Sequence, residues 1–436
     1  MESYHIAIDL GAGSGRIIAG TRQGNEIRLT ETARFITELE QRNGFTCWNY
    51  AGLLEKLIDG LRITCDKLGK VPESISCDSW AQDFGLLDSG GALLCFPVSY
   101  RDRRTAEMPQ HIAALISPEE LRQRIGRSAV SGVSTLAQLK FMAECQREQL
   151  GQAATLLHIA DLIHYELCGR AVSNWALASA SQLMNVHTGT WDCELLDKLD
   201  IPHGFLGEIV SGKLIGYVND PRFPRKLQGV PVISGIGHDT AAAFRALDPA
   251  PDTFFLSLGT WAMLGIRVNS FEQLPGEAIA MGVYPGVWTA FYGLPGMWIQ
   301  QQCVREWEKA GTFPGYVAFD AAAEASTCGG IFDPLASELF NPSDMPGVIR
   351  ELCAGNGSEV PAAIGDYGKV INRSLAECYG KAAARHDRKI TNLTVTGGGL
   401  KNAPLLRELE TRFSLHTGPG EGSALGNIKA QIAALA

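Results

Sequence analysis

Short apolar runs that end in glycine recur along the chain and set its expected elements. Tyr4 to Leu10 reads as a buried strand, ending in Asp9-Leu10-Gly11-Ala12-Gly13-Ser14-Gly15-Arg16. Ile17 to Thr21 reads as a second strand, Gln23-Gly24-Asn25 as a turn, and Glu26 to Phe35 as a third extended segment. Tyr50 to Leu68 fits a helix, and Ser74 to Cys77 a short strand. Helical segments fill much of Pro118 to Cys168. Val230 to Ile233 reads as a buried strand, Ser234-Gly235 as a turn, and Ala241-Ala242-Ala243 as the opening of a helix. Leu247-Asp248-Pro249-Ala250-Pro251-Asp252 breaks that helix and is the candidate linker between domains. Thr253 to Leu258 is then a strand, and a helix carries Gln300, Gln301 and Gln302. Pro361 to Arg385 reads as a long helix with its proline in the first turn. Leu393 to Thr396 is a strand running into Gly397-Gly398-Gly399, with a helix around Ala403 to Phe413. A last amphipathic helix follows the glycine-rich run Gly418 to Asn427.

The first glycine loop joins two strands of a hairpin. A dinucleotide fold would place a helix there, and Arg16 stands where its last glycine would be. Backbone N–H groups in such a loop converge on an anion. An acid at Asp9 would repel a phosphate unless a cation lay between them, so Asp9 points to Mg²⁺; otherwise it caps a turn. Leu256-Ser257-Leu258-Gly259-Thr260 repeats the plan of Ile8-Asp9-Leu10-Gly11-Ala12. The repeat implies two similar domains, each opening with a phosphate hairpin. Three glycines after a strand, at Gly397 to Gly399, allow close approach of a flat ligand or phosphate.

The pair His238-Asp239 falls between a buried strand and a tightly packed helix, where open α/β sheets bind ligands. Asp239 reads as a helix cap or as a catalytic base. Asp78-Ser79-Trp80-Ala81-Gln82-Asp83-Phe84 reads either as a polyol contact or as a buried Trp whose indole N–H is satisfied. Tyr100-Arg101-Asp102-Arg103-Arg104-Thr105 alternates in charge, as a salt-bridged loop would.

The 436 residues exceed what one core supports, so two domains are expected, 1–246 and 247–436. The net charge of −9 and the lack of a basic run argue against nucleic acid as a partner. The 11 cysteines include no C-x-x-C pair and fit reduced thiols in a cytoplasm. No run approaches membrane-spanning length, and the N-terminus shows no secretory pattern.

Taken together, Asp9 to Arg16, Tyr100 to Thr105, Gly237-His238-Asp239-Thr240, Leu258-Gly259-Thr260-Trp261 and Gly397 to Asn402 resemble the FGGY carbohydrate kinases. These belong to the actin/hexokinase/Hsp70-like ATPases, and the likeness is greatest to the branch acting on L-rhamnulose. The resemblance implies an α/β fold of two RNase H-like domains around a central cleft. The first domain would hold the sugar and the second the nucleotide. It implies transfer of the γ-phosphate of ATP, with Mg²⁺ at Asp9, to a primary hydroxyl of a ketose, with Asp239 as base. Trp80, Ala81, Gln82, His238, Asp239 and Thr240 would meet the sugar. Ala12, Gly13, Ser14, Gly15, Arg16, Thr260, Gln301, Gly397 and Gly398 would meet the nucleotide and its phosphates. The partners implied are sugar and ATP, with no nucleic acid or membrane, and a homodimer is the assembly considered.

Departures bear on the sugar. Ala81 replaces the glycine of a Trp-Gly pair, and Gly293 stands where an Asn tends to bind sugar. The Arg-Glu pair of glycerol kinases is absent at Ala81-Gln82, which argues against glycerol. L-Fuculose and related ketoses stay open beside L-rhamnulose. A nucleotide switch without kinase activity stays open as a second class.

Overall fold

The computed structural model describes residues 3–24, 26–250, 252–269, 274, 278–340, 342–386 and 389–436. Asn25 of the expected turn and Pro251 of the expected linker lie outside them. Contacts group the chain into two units: residues 1–248, 268–289 and 421–436, and residues 249–267 and 290–420. The break at 248/249 falls inside the expected linker. The expectation of a continuous 247–436 domain differs from this grouping, because the C-terminal helix packs within the first unit.

The first unit is built on β1 (Tyr4–Leu10), β2 (Ser14–Gln23), β3 (Glu26–Ile36), β4 (Ser74–Ser79), β5 (Lys213–Tyr217) and β6 (Pro231–Ser234). They form one sheet in the order β5-β6-β4-β1-β2-β3. β1 pairs antiparallel with β2 and parallel with β4, and β6 runs parallel to β4. β1 and β4 are buried at every position, as central strands covered on both faces must be. The helix Tyr50–Leu68 begins and ends where its pattern predicts. Asn49 caps its start, and Gly69, at φ +69°, takes the left-handed turn at its end.

Chemistry-bearing residues reach one sheet end because β1, β4 and β6 point the same way. The C-terminal helix, Gly422–Leu435, locks that end from behind. Its Gly426 lies against the helix Asp239–Leu247 so closely that a Cβ would come within 1.7 Å of the Ala242 carbonyl oxygen. Its Gln431 donates to the Ile6 carbonyl at 3.0 Å and accepts from Ser74 Oγ at 2.6 Å. Polar side chains thus stitch the helix to two central strands, where an unpaired amide would be costly.

The second unit contains strands β7 (Thr253–Leu258), β8 (Trp261–Val268), β9 (Val287–Pro295), β10 (Asn392–Thr396) and β11 (Ser414–Thr417). Their order in the sheet is β9-β8-β7-β10-β11. β7 pairs antiparallel with β8 and parallel with β10. The plan matches that of β1, β2 and β4, as the short internal repeat implied. The long helix covers Ile364–Ala384, so Pro361 precedes it instead of lying in its first turn. Asp366 explains the start, since its Oδ2 accepts from Ala363 N at 2.9 Å and Ala362 N at 3.2 Å.

Gly426→Ala should destabilise the first unit, because the added methyl meets backbone rather than a movable side chain. Overpacking of this kind typically costs about 1–3 kcal/mol. A urea midpoint unchanged from the parent protein would show that the two helices can separate freely.

Candidate active site

Three strand ends bring together three carboxylates: Asp9 in β1, Asp78 in β4 and Asp239 after β6. Asp9 and Asp78 are partners in the parallel register. A bridge between Ser79 and His238 aligns the third segment, and Ser79 N donates to the Gly237 carbonyl at 2.9 Å. Asp9 Oδ2 accepts from Arg16 Nη2 at 2.5 Å and from Ser423 Oγ at 2.7 Å. Arg16 also pairs with Glu421. Asp78 Oδ2 accepts from Asn427 Nδ2 at 2.6 Å, while its Oδ1 is buried without a partner. Burial pushes the Asp9 carboxyl up, with the Arg16 charge pulling it back down. Burial pushes Asp78 well up, and the neighbouring Asp9 charge adds to it. The Asp239 charge also raises both.

The helix starts at Asp239, so His238 occupies the cap position expected of the aspartate. His238 Nδ1 lies 2.8 Å from Asp239 Oδ1 and 3.2 Å from Thr240 N. A ring nitrogen cannot donate and accept at once. An ionised carboxylate only accepts, so Nδ1–H donates to Asp239 Oδ1. The Thr240 N–H then goes to that same Oδ1, at 2.5 Å, with Thr240 Oγ1 donating at 3.2 Å. Asp239 therefore does satisfy a helix-terminal amide, but from the first helical position. All of this falls on Oδ1. Among the described residues Oδ2 takes no hydrogen bond, and the side chain is 33% exposed. Asp239 thus holds one oxygen fixed and presents the other.

A buried asparagine holds this loop from behind. Asn174 Oδ1 accepts from Gly237 N at 3.0 Å, and Nδ2 donates to the Gly235 carbonyl at 2.9 Å and Ser234 Oγ at 3.1 Å. Its own backbone N–H donates to both Asp161 oxygens at 3.1 Å. Asp161 is fully buried, and burial lifts its pKa to about 8.

The tryptophan cluster buries its indoles and satisfies their N–H groups within the protein. Trp80 is 5% exposed, and its indole donates to Asp83 Oδ2 at 2.9 Å. Trp48 donates to the same oxygen at 2.6 Å, and the two rings lie 4.3 Å apart. Burial lifts Asp83 to about 6, opposed by these bonds. Gln82, at φ +82°, spends its side chain on the Ala180 carbonyl at 3.0 Å and on Thr135 N at 3.2 Å. Ala81 is buried beside them. The expected charge-paired loop instead divides its work. Asp102 Oδ1 caps Arg103–Thr105, and Arg101 donates to the Ala12 carbonyl at 3.3 Å.

Around the first hairpin, Gly11 N donates to the Ser14 carbonyl at 2.9 Å, which leaves Ala12 and Gly13 as the turn. Ser14, Gly15 and Arg16 belong to β2. In the second unit, Thr260 Oγ1 and Gln301 Oε1 lie 3.4 Å apart, so these two expected nucleotide contacts meet. Gly397, at φ +91°, lies against Leu258, where a Cβ would be 2.8 Å from the carbonyl oxygen. Gly398 faces open space. Nearby, Asn402 donates to Asn372 Oδ1 and Gln300 Oε1, each at 3.0 Å. Asn372 Nδ2 is buried without a partner and borders a cavity of about 250 Å³ with Lys369, Pro404 and Arg407.

The pattern described as the FGGY family of carbohydrate kinases, N-terminal domain, matches residues 4–245. The chain belongs to this family. It is an ATP-dependent sugar kinase with the two-domain actin/hexokinase-like fold, and the nucleotide-switch alternative falls away. It is 32% identical to the rhamnulokinase of Pectobacterium carotovorum over 99% of this chain and 88% of that protein. Its identity to the rhamnulokinase of Klebsiella pneumoniae is 31%, over 99% and 89%. Among solved structures, the ligand-bound xylulose kinase of Lactobacillus acidophilus superposes with a TM-score of 0.83 at 17% identity, covering 99% of this chain and 89% of that one. Plasmodium falciparum glycerol kinase with ADP gives 0.82 at 14%, covering 100% and 90%.

The sequence pattern did not single out Glu421, Ser423, Asn427, Asn174 or Asp161. The first three lie in the glycine-rich run Gly418 to Asn427, which signalled a loop but not its destination. Among the described residues no helix is long and apolar enough to cross a membrane, and no disulfide forms.

Asp161 makes stability depend on pH with a definite sign. Its folded pKa of about 8 exceeds the ordinary 3.8, so between these values the native state holds a proton that the unfolded state has lost. Stability from this group should fall as pH rises through that window. Asp161→Asn should flatten the slope of urea stability between pH 5 and pH 8; an unaltered slope would remove Asp161 as its source.

Proposed function

We propose that the protein phosphorylates L-rhamnulose at its primary hydroxyl, with Asp239 as the general base. The carrying observation is the split use of that carboxylate, Oδ1 anchored three ways and Oδ2 unbonded and reachable. The similarity to rhamnulokinases supports the choice of sugar.

Phosphoryl transfer asks a protein for positioning and charge stabilisation more than for covalent chemistry. Asp239 Oδ2 accepts the hydroxyl proton as that oxygen attacks the γ-phosphate of ATP. Asn174 and His238 hold the carboxylate's loop still. The first hairpin, Ala12 to Arg16, faces the transferred phosphoryl group, and Thr260, Gln301, Gly397 and Gly398 hold the nucleotide. The buried donor of Asn372 favours the adjoining cavity as the place of the base. Trp80 and Ala81 form an apolar floor for the sugar, while Gln82 supports that floor through its bonds to Ala180 and Thr135.

The donor set fits Mg²⁺. Asp9, Asp78 and Asp239 repel one another, Asp78 Oδ1 has no partner, and Arg16 supplies one positive charge among them. Among the described residues no group of three His, Cys, Asp or Glu is arranged to grip a metal directly. Mg²⁺ is usually held by one or two carboxylates together with water and substrate phosphates. When bound, it would neutralise phosphate charge, with Asp9 and Asp78 as its protein anchors. Eleven thiols without a disulfide favour a cytoplasmic place of action.

Asp239→Asn should lower kcat by about 10²–10⁴-fold, the usual contribution of a positioned base, while ATP still binds. Near-normal turnover would reject Asp239 as base. In an ADP-release screen over ketoses and polyols, L-rhamnulose should give the highest kcat/KM. A higher value for L-fuculose would move the assignment to that sugar without touching the kinase chemistry.

A further inference from the structure

The first unit holds a second cavity, of about 120 Å³, which the reaction leaves unused. It is walled by the strands Phe45–Trp48 and Phe84–Leu87 and by the helix Thr135–Cys145, with apolar lining from Phe84, Phe96 and Val98. Two guanidinium groups border it. Arg42 is already paired with Glu40 and lies over Phe96. Arg104 is different. Its Nη2 donates to Gln138 Oε1 at 2.7 Å, and Phe45 and Phe141 flank it, each ring centroid 5.7 Å away. Among the described residues no carboxylate lies within ion-pair distance of it. Burial lowers its pKa despite the opposing pull of Asp102 and Asp83, so its charge is undercompensated. Even half-buried, a cation without an ion partner keeps part of its desolvation cost unless something binds it.

We infer that this cavity binds a small organic monocarboxylate, its oxygens on Arg104 and its apolar body against Phe84, Phe96 and Val98. The planar guanidinium fork matches a carboxylate in shape and charge. A phosphate dianion fits less well, because it would bring a second negative charge near Asp102 and Asp83 and would meet apolar walls. At about 30 Å³ per water the volume of about 120 Å³ is that of about four waters, which limits the ligand to a small acid.

Occupancy has a route to the tryptophan cluster. Gln138 joins Arg104 to Asp83, donating to Asp83 Oδ1 at 3.1 Å, and Asp83 Oδ2 holds both indoles. A ligand drawing on Arg104 competes with Gln138 and shifts that chain. Any change in sugar KM rests on the proposed place of the sugar at Trp80; the binding itself does not.

Calorimetry on the full chain, without sugar or ATP and at constant ionic strength, tests the site with benzoate, butyrate and inorganic phosphate. Benzoate should bind saturably with a Kd on the order of 1 mM or tighter. It should also change the tryptophan emission, and phosphate should bind more weakly. Arg104→Gln should weaken benzoate at least about tenfold. Cys95→Phe, which fills the cavity and spares Arg104, should do the same with kcat unchanged. If Arg104→Gln does not fold, Cys95→Phe decides alone. The inference is overturned if neither acid gives saturable heat, if Cys95→Phe binds benzoate as the parent does, or if phosphate binds as tightly as benzoate. Failure of the kinase assay would leave these binding outcomes untouched.

Discussion

Repulsion among like charges organises the first unit. Asp9, Asp78 and Asp239 stand at neighbouring strand ends; the Asp239 charge raises the cost of ionising Asp9 and Asp78, and the Asp9 charge adds to that cost at Asp78. Such a set persists in a fold only where the surroundings counter it. Arg16 supplies charge, Ser423 and Asn427 supply donors, and Glu421 holds Arg16 in place. Three of these four residues come from the last sixteen of the chain. The C-terminal helix belongs to the first unit for this reason, and a glycine at Gly426 lets it come close enough to serve.

The same repulsion bears on the proposed reaction. Carboxylates that are undercompensated at rest would attract a cation when phosphate arrives, and an ion bound there would change the balance for every group around it. Asp78, whose Oδ1 has no partner, carries the largest unmet demand. Asp239, at the rim, is 33% exposed, as the proposed proton acceptor must be. Burial thus grades the cluster from the enclosed Asp9 and Asp78 beneath to the part-exposed Asp239 above.

Much of the frame could be read from the residues alone. β1, β7 and the helix Tyr50–Leu68 have the bounds their patterns predicted, because buried strands and capped helices advertise themselves locally. The hairpin repeat proved to be a repeated sheet plan, since a glycine turn between two apolar runs has few other solutions. Unreadable were contacts fixed by tertiary fold: Ser423 on Asp9 spans 414 positions, and Asn174 on Gly237 spans 63. Nothing local distinguishes Asn174 from any asparagine at a helix start, and it does cap the helix Trp175–Ala180 as well. The contacts of Gln82 were equally unreadable, because a polar residue at a strand end looks available until the fold occupies its amide.

The opposition between cap and base at Asp239 dissolves at the level of single atoms. A carboxylate has two oxygens, and helix-terminal amides need only one of them. The Thr240 amide, the Thr240 hydroxyl and the His238 ring converge on Oδ1 and fix the group's rotation. A freely turning side chain would have to lose that rotation in the transition state. Here folding has already removed it, so the ordering cost falls on the stability of the loop instead of on the reaction barrier. Asn174, buried beneath, bears that cost with three side-chain bonds to the segment Ser234 to Gly237. In the proposed mechanism the cap is therefore part of how the base is aimed.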